Sequence, residues 1–229
     1  MPRLLLFDID GTLLDTGGAG GASLLDAAEE MFEVARHELP PLDLAGATDG
    51  GVVRRLFGQV GRAFEAEAVT AYLDCYLGHL HRRLHHETFA GQTLPGIGAL
   101  LSALASAGGA DIGLLTGNVR RGAEMKLRRF DLGSRFVDGA FGDDAEDRNL
   151  LGPVAMQRMS LATGRSYAVE DVIVIGDTPK DISCAHAIGA RCLAVGTGHF
   201  QAEALRVHQP WQCLESLAET DRVCELLLS

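Results

Sequence analysis

Leu4-Leu5-Leu6-Phe7-Asp8-Ile9-Asp10-Gly11-Thr12 is the stretch on which the reading of this chain turns. Its apolar run, bounded by the turn-forming Asp10-Gly11 pair, predicts a short and fully buried β-strand. The two acids then fall at or just past the C-terminal end of that strand, the edge at which open α/β sheets bind ligands. Two carboxylates on a buried strand end are unfavourable unless something positive is held between them. A hard divalent cation, which takes oxygen ligands, meets that need most simply.

Working outward, the same theme returns twice. Ile112-Gly113-Leu114-Leu115 reads as a second buried strand and ends in Thr116-Gly117-Asn118. Val172-Ile173-Val174-Ile175 is the clearest strand in the chain and ends in Gly176-Asp177-Thr178-Pro179-Lys180-Asp181. A further strand is expected over 191–195 and a short one over 136–141. Helical patterns lie between them over 95–107, 120–130 and 151–163, with Pro95 in a first turn and Gly108-Gly109 at an end. Strands alternating with helices of this length predict an α/β fold, a Rossmann-like doubly wound parallel sheet with right-handed crossovers.

Residues 24–90 break that alternation with an all-helical pattern. Helices are expected over 24–35, 49–57 and 66–84, after a glycine cluster (Gly17, Gly18, Gly20, Gly21) read as a flexible connection, with Pro40-Pro41 breaking the first helix. The expected organisation is an α/β core over 1–16 and 91–229 carrying an inserted, all-helical cap over 17–90.

Composition narrows the function classes. The 229 residues carry 20 Lys plus Arg against 31 Asp plus Glu, a net charge of −11. So acidic a chain is a poor binder of nucleic acid, which requires phosphates to be neutralised. A small phosphorylated partner is compatible, because local charges and a bound metal decide that contact. The five cysteines are odd in number and form no C-x-x-C pair, so they read as reduced thiols of a cytoplasmic protein. No apolar stretch is long enough to span a bilayer, and the N-terminus lacks a signal-peptide layout.

In a parallel sheet the polar strand ends share one edge, so Asp8 and Asp10, Thr116 with Asn118, and Asp177 with Asp181 can converge. Converging acids suit Mg²⁺, which binds through carboxylates, substrate phosphate oxygens and retained waters. The Thr116 hydroxyl and the Gly117 and Asn118 amides, opening a helix, form a seat for phosphate. Reaction logic divides the paired acids. Asp8, nearer the strand end, fits a nucleophile that would form an aspartyl-phosphate. Asp10, two residues on, fits the acid and base that serve the leaving group and then water.

Together these three motifs resemble the haloacid dehalogenase superfamily over essentially the whole chain, and within it the phosphoglycolate-phosphatase-like branch with a helical cap. The resemblance implies Asp8 as nucleophile and metal ligand, and Asp10 as acid/base with its backbone carbonyl on Mg²⁺. It implies Thr116 on the transferring phosphoryl group, Asp177 on the metal, and Asp181 supporting the metal site directly or through water. The expected activity is Mg²⁺-dependent hydrolysis of a small, phosphoglycolate-like phosphomonoester. A sugar phosphomutase and a non-catalytic binding protein are the alternatives.

One feature departs from the family pattern. A Lys is expected between the second and last motifs, and Gly142-Asp143-Asp144-Ala145-Glu146-Asp147-Arg148-Asn149 has none. Arg148 is the expected replacement, Arg158 the alternative, and Lys180 a weaker candidate. Arg can supply the charge and chelate two oxygens, but the exchange is not neutral. In the cap, His79, His81, His85 and His86 form a cluster in which no acid or Cys completes a zinc signature, so it reads as a solvated or substrate-facing helix. Arg54 and Arg55 read as surface charges, Thr48-Asp49 as a cap-loop segment, and Cys184 and Cys192 as core packing.

Overall fold

In the computed structural model, residues 2–39 and 41–229 are described. The chain opens with β1 (Arg3–Phe7), β2 (Leu14–Asp15), and helices α1 (Ala19–Phe32), α2 (Asp49–Gln59) and α3 (Ala66–Leu84). It continues through β3 (Gln92–Thr93), α4 (Ile97–Ala107), β4 (Ala110–Leu115), α5 (Arg120–Arg129), β5 (Gly139–Ala140) and α6 (Leu151–Thr163). The last part holds β6 (Val172–Gly176), α7 (Pro179–Ala187), β7 (Arg191–Val195), α8 (Ala202–Arg206), β8 (Gln212–Leu214) and α9 (Thr220–Leu228).

Six strands form one sheet in the order β5-β4-β1-β6-β7-β8, with every neighbouring pair parallel. Its central strand is β1, where Leu5 sits between Ile112 and Ile173 and Phe7 between Leu114 and Ile175. Side chains alternate across a strand, so β1 feeds two separate cores. Leu5 and Phe7 pack with Leu100, Leu104, Val223 and Leu227 on one face, and Leu4 and Leu6 with Leu151, Met159 and Ile182 on the other. Burial on both faces explains why these strands read as unbroken apolar runs.

α1, α2 and α3 form a third apolar cluster around Leu24, Phe32, Val53, Leu56, Tyr72 and Tyr76. The chain enters and leaves this helical unit through β2 and β3, which pair antiparallel, Leu14 with Thr93 and Asp15 with Gln92. The helical unit therefore hangs on two adjacent connections just beyond the end of β1.

Several boundaries differ from the sequence expectation. α1 begins at Ala19 and takes in Gly20 and Gly21, which are helical rather than a flexible connection. Both positions are pressed from outside, Gly20 by the Lys126 ammonium and Gly21 by Leu44, and a β-carbon would crowd them. The break before α1 is made by Gly17 and Gly18 alone, at φ 60° and 78°. α1 ends at Phe32, where Glu33 turns left-handed at φ 56°, ahead of the expected stop at 35. Pro40 of the expected Pro40-Pro41 break lies outside the described residues. Pro95 precedes α4 rather than starting it, because Gly96 is left-handed at φ 84°. The strand expected over 136–141 shortens to Gly139–Ala140, an edge position where only β4 offers partners.

Candidate active site

β4, β1 and β6 are neighbours, so their C-terminal ends deliver Thr116-Gly117-Asn118, Asp8-Ile9-Asp10 and Asp177 to one edge. α7 starts directly after β6 with Thr178 as its cap: the Thr178 hydroxyl accepts from the Asp181 amide, and the Thr178 amide and hydroxyl donate to Asp181 Oδ2 at 3.0 and 2.7 Å. This capping box fixes Asp181 beneath the other acids. Carboxylate oxygens of Asp8, Asp177 and Asp181 lie within 4.8 Å of one another, all three side chains buried.

Arg148 is drawn into this set. Its Nη2 lies 3.2 Å from Asp8 Oδ1 and also donates to Asp181 Oδ1, while Nη1 donates to the Gly46 carbonyl at 3.2 Å. Burial opposes the Arg148 charge, but Asp181 and Asp8 outweigh it and raise its pKa further above the ordinary value. For the acids the balance runs the other way. Burial pushes the Asp8 carboxyl up, with Asp181 adding to the shift and Arg148 only partly opposing it. Asp177 is raised further, by burial and then by Asp181 and Asp8.

Three buried carboxylates against one guanidinium leave the site short of positive charge. Asp177 Oδ1 accepts from Thr12 at 3.1 Å. The backbone passes close to the same carboxylate at Gly11 and Gly198, where a β-carbon would run into it. An all-oxygen donor set, charge-deficient and kept sterically clear, fits a hard divalent ion of the Mg²⁺ type. Asp8 and Asp177 are the residues that would hold it, since both Asp181 oxygens are already engaged.

A haloacid dehalogenase-like hydrolase family model matches residues 5–186, and a second, HAD-hydrolase-like model matches 153–220. The chain belongs to the haloacid dehalogenase-like hydrolases. Among curated relatives, it is 29% identical over 210 residues to phosphoglycolate phosphatase of Rhodospirillum rubrum, covering 87% of this chain and 81% of that one. It is 25% identical to phosphoglycolate phosphatase 1 of Pseudomonas aeruginosa, over 100% of this chain and 83% of the relative. The crystal structure of a hydrolase from Pseudomonas syringae superposes with a TM-score of 0.71 at 18% identity, covering 100% of both chains, which supports the fold.

In this hydrolase the cation that touches Asp8 is Arg148. Arg158 instead pairs with Asp144 and the Gly139 carbonyl, and Lys180 with Asp43 at 3.3 Å. Asp10 stands apart from the acid set. Its Oδ2 accepts from Lys126 Nζ at 2.6 Å and Asn118 Nδ2 at 2.8 Å, and its Oδ1 from Thr16 at 3.3 Å. Burial works against its charge, yet the Lys126 ammonium and these hydrogen bonds hold the carboxyl below its ordinary range. Asn118 also donates to Thr116 Oγ1 at 2.9 Å and accepts from Lys126 at 2.6 Å, which ties the end of β4 to the acid.

Lys126 is the residue the sequence reading missed. It belongs to a strongly basic helix, where a lysine is ordinary. A signal was nonetheless present: Lys126 falls in the buried stripe of α5 with Gly122, Ala123 and Leu127, a place where an unpaired ammonium is not tolerated.

The helical unit closes the cleft from above. Its volume is about 570 Å³, and its lining includes Asp8, Asp10, Asp49, Tyr76, Thr116 and Lys126, a size ordinary for a small-molecule site. At the start of α2 the Asp49 amide donates to the Gly117 carbonyl at 2.7 Å, and Thr48 Oγ1 donates to the Glu146 carbonyl at 2.6 Å. Arg54, read as a surface charge, bridges to Glu146 of the core, and Arg55 donates to the Asp43 carbonyl. Asp49 Oδ2 accepts from the Val119 amide at 2.9 Å and Tyr76 at 3.3 Å. Burial pushes its carboxyl up to about 6 despite the nearby Lys126 charge.

The cysteines are free, and Cys184 and Cys192 are buried in the core. Among the described residues no helix is long and apolar enough to cross a membrane.

Proposed function

We propose that this hydrolase is a Mg²⁺-dependent phosphomonoester phosphatase that works through an aspartyl-phosphate at Asp8, with α1 to α3 acting as the cap over 17–90. The observation that carries the reading is Asp8 itself: a buried carboxylate at the end of the central strand, with the Arg148 guanidinium at 3.2 Å and two further buried acids beside it. Bound among these carboxylates, a divalent ion supplies charge neutralisation and orients a phosphate.

Thr116 and the Gly117 and Asn118 amides bind the phosphoryl oxygens at the end of β4. Asp8 attacks phosphorus, and the bond to the leaving oxygen breaks as Asp10, ionised while only Lys126 faces it and protonated once the phosphate brings its negative charge into the cleft, donates a proton to it. Asp10 then takes a proton from the water that hydrolyses the acyl-phosphate. Arg148 offsets the charge gathering between Asp8 and the phosphoryl oxygens, the role expected of the family's Lys. Lys126 and Asn118 keep Asp10 oriented between the two half-reactions. The helical unit excludes water from attack and shapes the leaving-group side with Asp49, Tyr76, Leu24 and Val52.

The substrate class is a small phosphorylated metabolite, phosphoglycolate-like by kinship with the curated relatives. Phosphate release from a panel of phosphomonoesters, phosphoglycolate and neutral polyol phosphates included, tests the reading with Mg²⁺ and with chelator. Turnover that needs Mg²⁺ and is absent in Asp8→Asn is expected. Phosphate transfer back to substrate instead of release points to a mutase, and no turnover of any ester, a generic chromogenic one included, overturns the proposal.

A further inference from the structure

Outside the cleft, α1 and α3 bring together donor groups that the hydrolytic site does not use. Asp26 and Glu30 stand one turn apart on α1, and Cys75 and His79 one turn apart on α3. Spacing of four residues puts each pair on one helix face, and the two faces meet. The Cys75 thiol sulfur, a His79 ring nitrogen and a Glu30 carboxylate oxygen all lie within 4.8 Å of one another. His79 Nε2 is 2.9 Å from Glu30 Oε2. The expectation that no acid or Cys accompanies the histidine cluster thus fails for His79. Cys75 comes from the preceding turn of its own helix, an i,i+4 spacing visible in the sequence, whereas Glu30 comes from a neighbouring helix and no linear spacing announces it. His81 and His85 behave as expected, ring against ring at 4.3 Å on the exposed side.

We propose that Cys75, His79 and Glu30 form a second cation site, selective for zinc-class divalent ions and bridging α1 to α3. Thiolate, imidazole and carboxylate are the donor types that zinc takes, and three protein ligands leave a fourth position for water. The side-chain exposure of Glu30, 61%, places that position at the solvent. The donor set also separates this site from the acids at Asp8 and Asp177, because Mg²⁺ favours oxygen and disfavours sulfur.

A partner for the histidine is in place as well. Asp26 Oδ2 lies 3.6 Å from His79 Nδ1, and the carboxylate is held by Arg36 on Oδ1 at 2.8 Å and by Arg83 on Oδ2 at 2.6 Å. When Nε2 ligates, the ring proton sits on Nδ1 and Asp26 accepts it, the arrangement that orients metal-bound histidines. Without metal, the Arg82 guanidinium is 3.0 Å from that nitrogen, and Arg82 is exposed and free to turn outward. Binding therefore releases the Cys75 thiol proton and moves the ring proton from Nε2 to Nδ1.

Titration of the full chain with Co²⁺ under reducing conditions tests this independently of phosphatase activity. One equivalent is expected to raise a near-ultraviolet thiolate-to-cobalt band that excess Mg²⁺ leaves intact and Zn²⁺ removes. Oxygen ligands at the cleft cannot produce that band. Cys75→Ser and His79→Ala should abolish it, and Glu30→Gln should weaken affinity about tenfold. In the unmutated protein, Zn²⁺ should protect Cys75 from alkylation, read by peptide mass, so the answer does not depend on a variant folding. No band up to millimolar Co²⁺, a band that survives Cys75→Ser, or equal alkylation of Cys75 with and without Zn²⁺ overturns the proposal.

Discussion

The floor and the roof of the cleft are built on different principles. The floor hangs from strand ends of one parallel sheet, and its polar groups are locked to each other: Arg148 to Asp8 and Asp181, Asp181 to Thr178, Asp10 to Lys126 and Asn118. The roof is a loop and the first turn of α2, tied to the floor by separate hydrogen bonds such as Asp49 to Gly117 and Thr48 to Glu146. A floor of this kind fixes geometry for chemistry, whereas separate hydrogen bonds can be broken and remade as a lid moves. Substitutions on the floor should therefore act on kcat, and those on the roof on substrate choice and on how the lid responds to conditions.

The largest effect belongs to Asp8→Asn. Loss of the nucleophile should lower phosphate release by roughly 10⁴-fold or more with the thermal midpoint held or raised, because one of three crowded acids loses its charge. Retained turnover would break the assignment of chemistry to the floor. Arg148 comes next. Arg148→Ala leaves Asp8 and Asp181 buried without their cation, and breaking a buried pair costs about 3–5 kcal/mol, while kcat should fall roughly 10²–10³-fold. Arg148→Lys should recover part of both, measured by denaturant unfolding beside a chromogenic assay. Equal behaviour of the two variants would show that the charge does not matter.

Legibility in the sequence follows the same division. Leu4 to Phe7, Ile112 to Leu115 and Val172 to Ile175 are buried on both sides, so their apolar runs announce the strands, and the polar residues after them announce the floor. Polar groups at these strand ends place them on one edge of the sheet, but the order of all six strands comes only from the structure. Long-range partners were not legible. Lys126 lies 116 residues from Asp10, and only its place in an apolar stripe hinted at burial. Gly20 and Gly21 look like a hinge in sequence, and their true role, making room for Lys126 and Leu44, is set by tertiary contact. Glu30 escaped for the same reason, being brought to His79 by helix packing, whereas Cys75 stood in plain view four residues before His79 on the same helix.

Lys126→Met probes the seam between floor and roof with a smaller effect. Asp10 keeps Asn118 and Thr16 but loses its cation, so kcat should drop roughly tenfold, short of the 10²–10⁴ of complete acid–base loss. The pair also has a pH signature. A carboxyl whose folded value is depressed contributes stability that is full above its ordinary value of 3.8 and is lost as pH falls through the folded value. The variant should lack that contribution, so its unfolding free energy should converge on that of the parent in acid. A constant gap between the two across pH 2–6 would remove Lys126 from the Asp10 network.

Asp49→Asn is the mildest change and the one that reads the roof alone. The amide oxygen can still accept from the Val119 amide and from Tyr76, so the lid contact survives while the charge is removed. In the parent, burial holds this carboxyl at about 6 instead of 3.8. Below 3.8 folded and unfolded chains are both protonated at this position, and no penalty exists. As pH rises toward 6 the unfolded chain ionises first, so the parent loses stability, and above 6 it carries the whole cost of a buried charge. Asp49→Asn should therefore match the parent near pH 4 and exceed it at pH 7, with thermal midpoints read at both values. Its kcat on a small chromogenic ester should change little, while kcat/KM across the phosphomonoester panel should shift by a few-fold, with the order of preferred leaving groups altered. Parallel stability curves would mean that Asp49 stays solvated and the roof is open in solution. A collapse of kcat on every ester would move Asp49 from the roof to the floor, and the division between holding chemistry and choosing substrate would have to be drawn elsewhere.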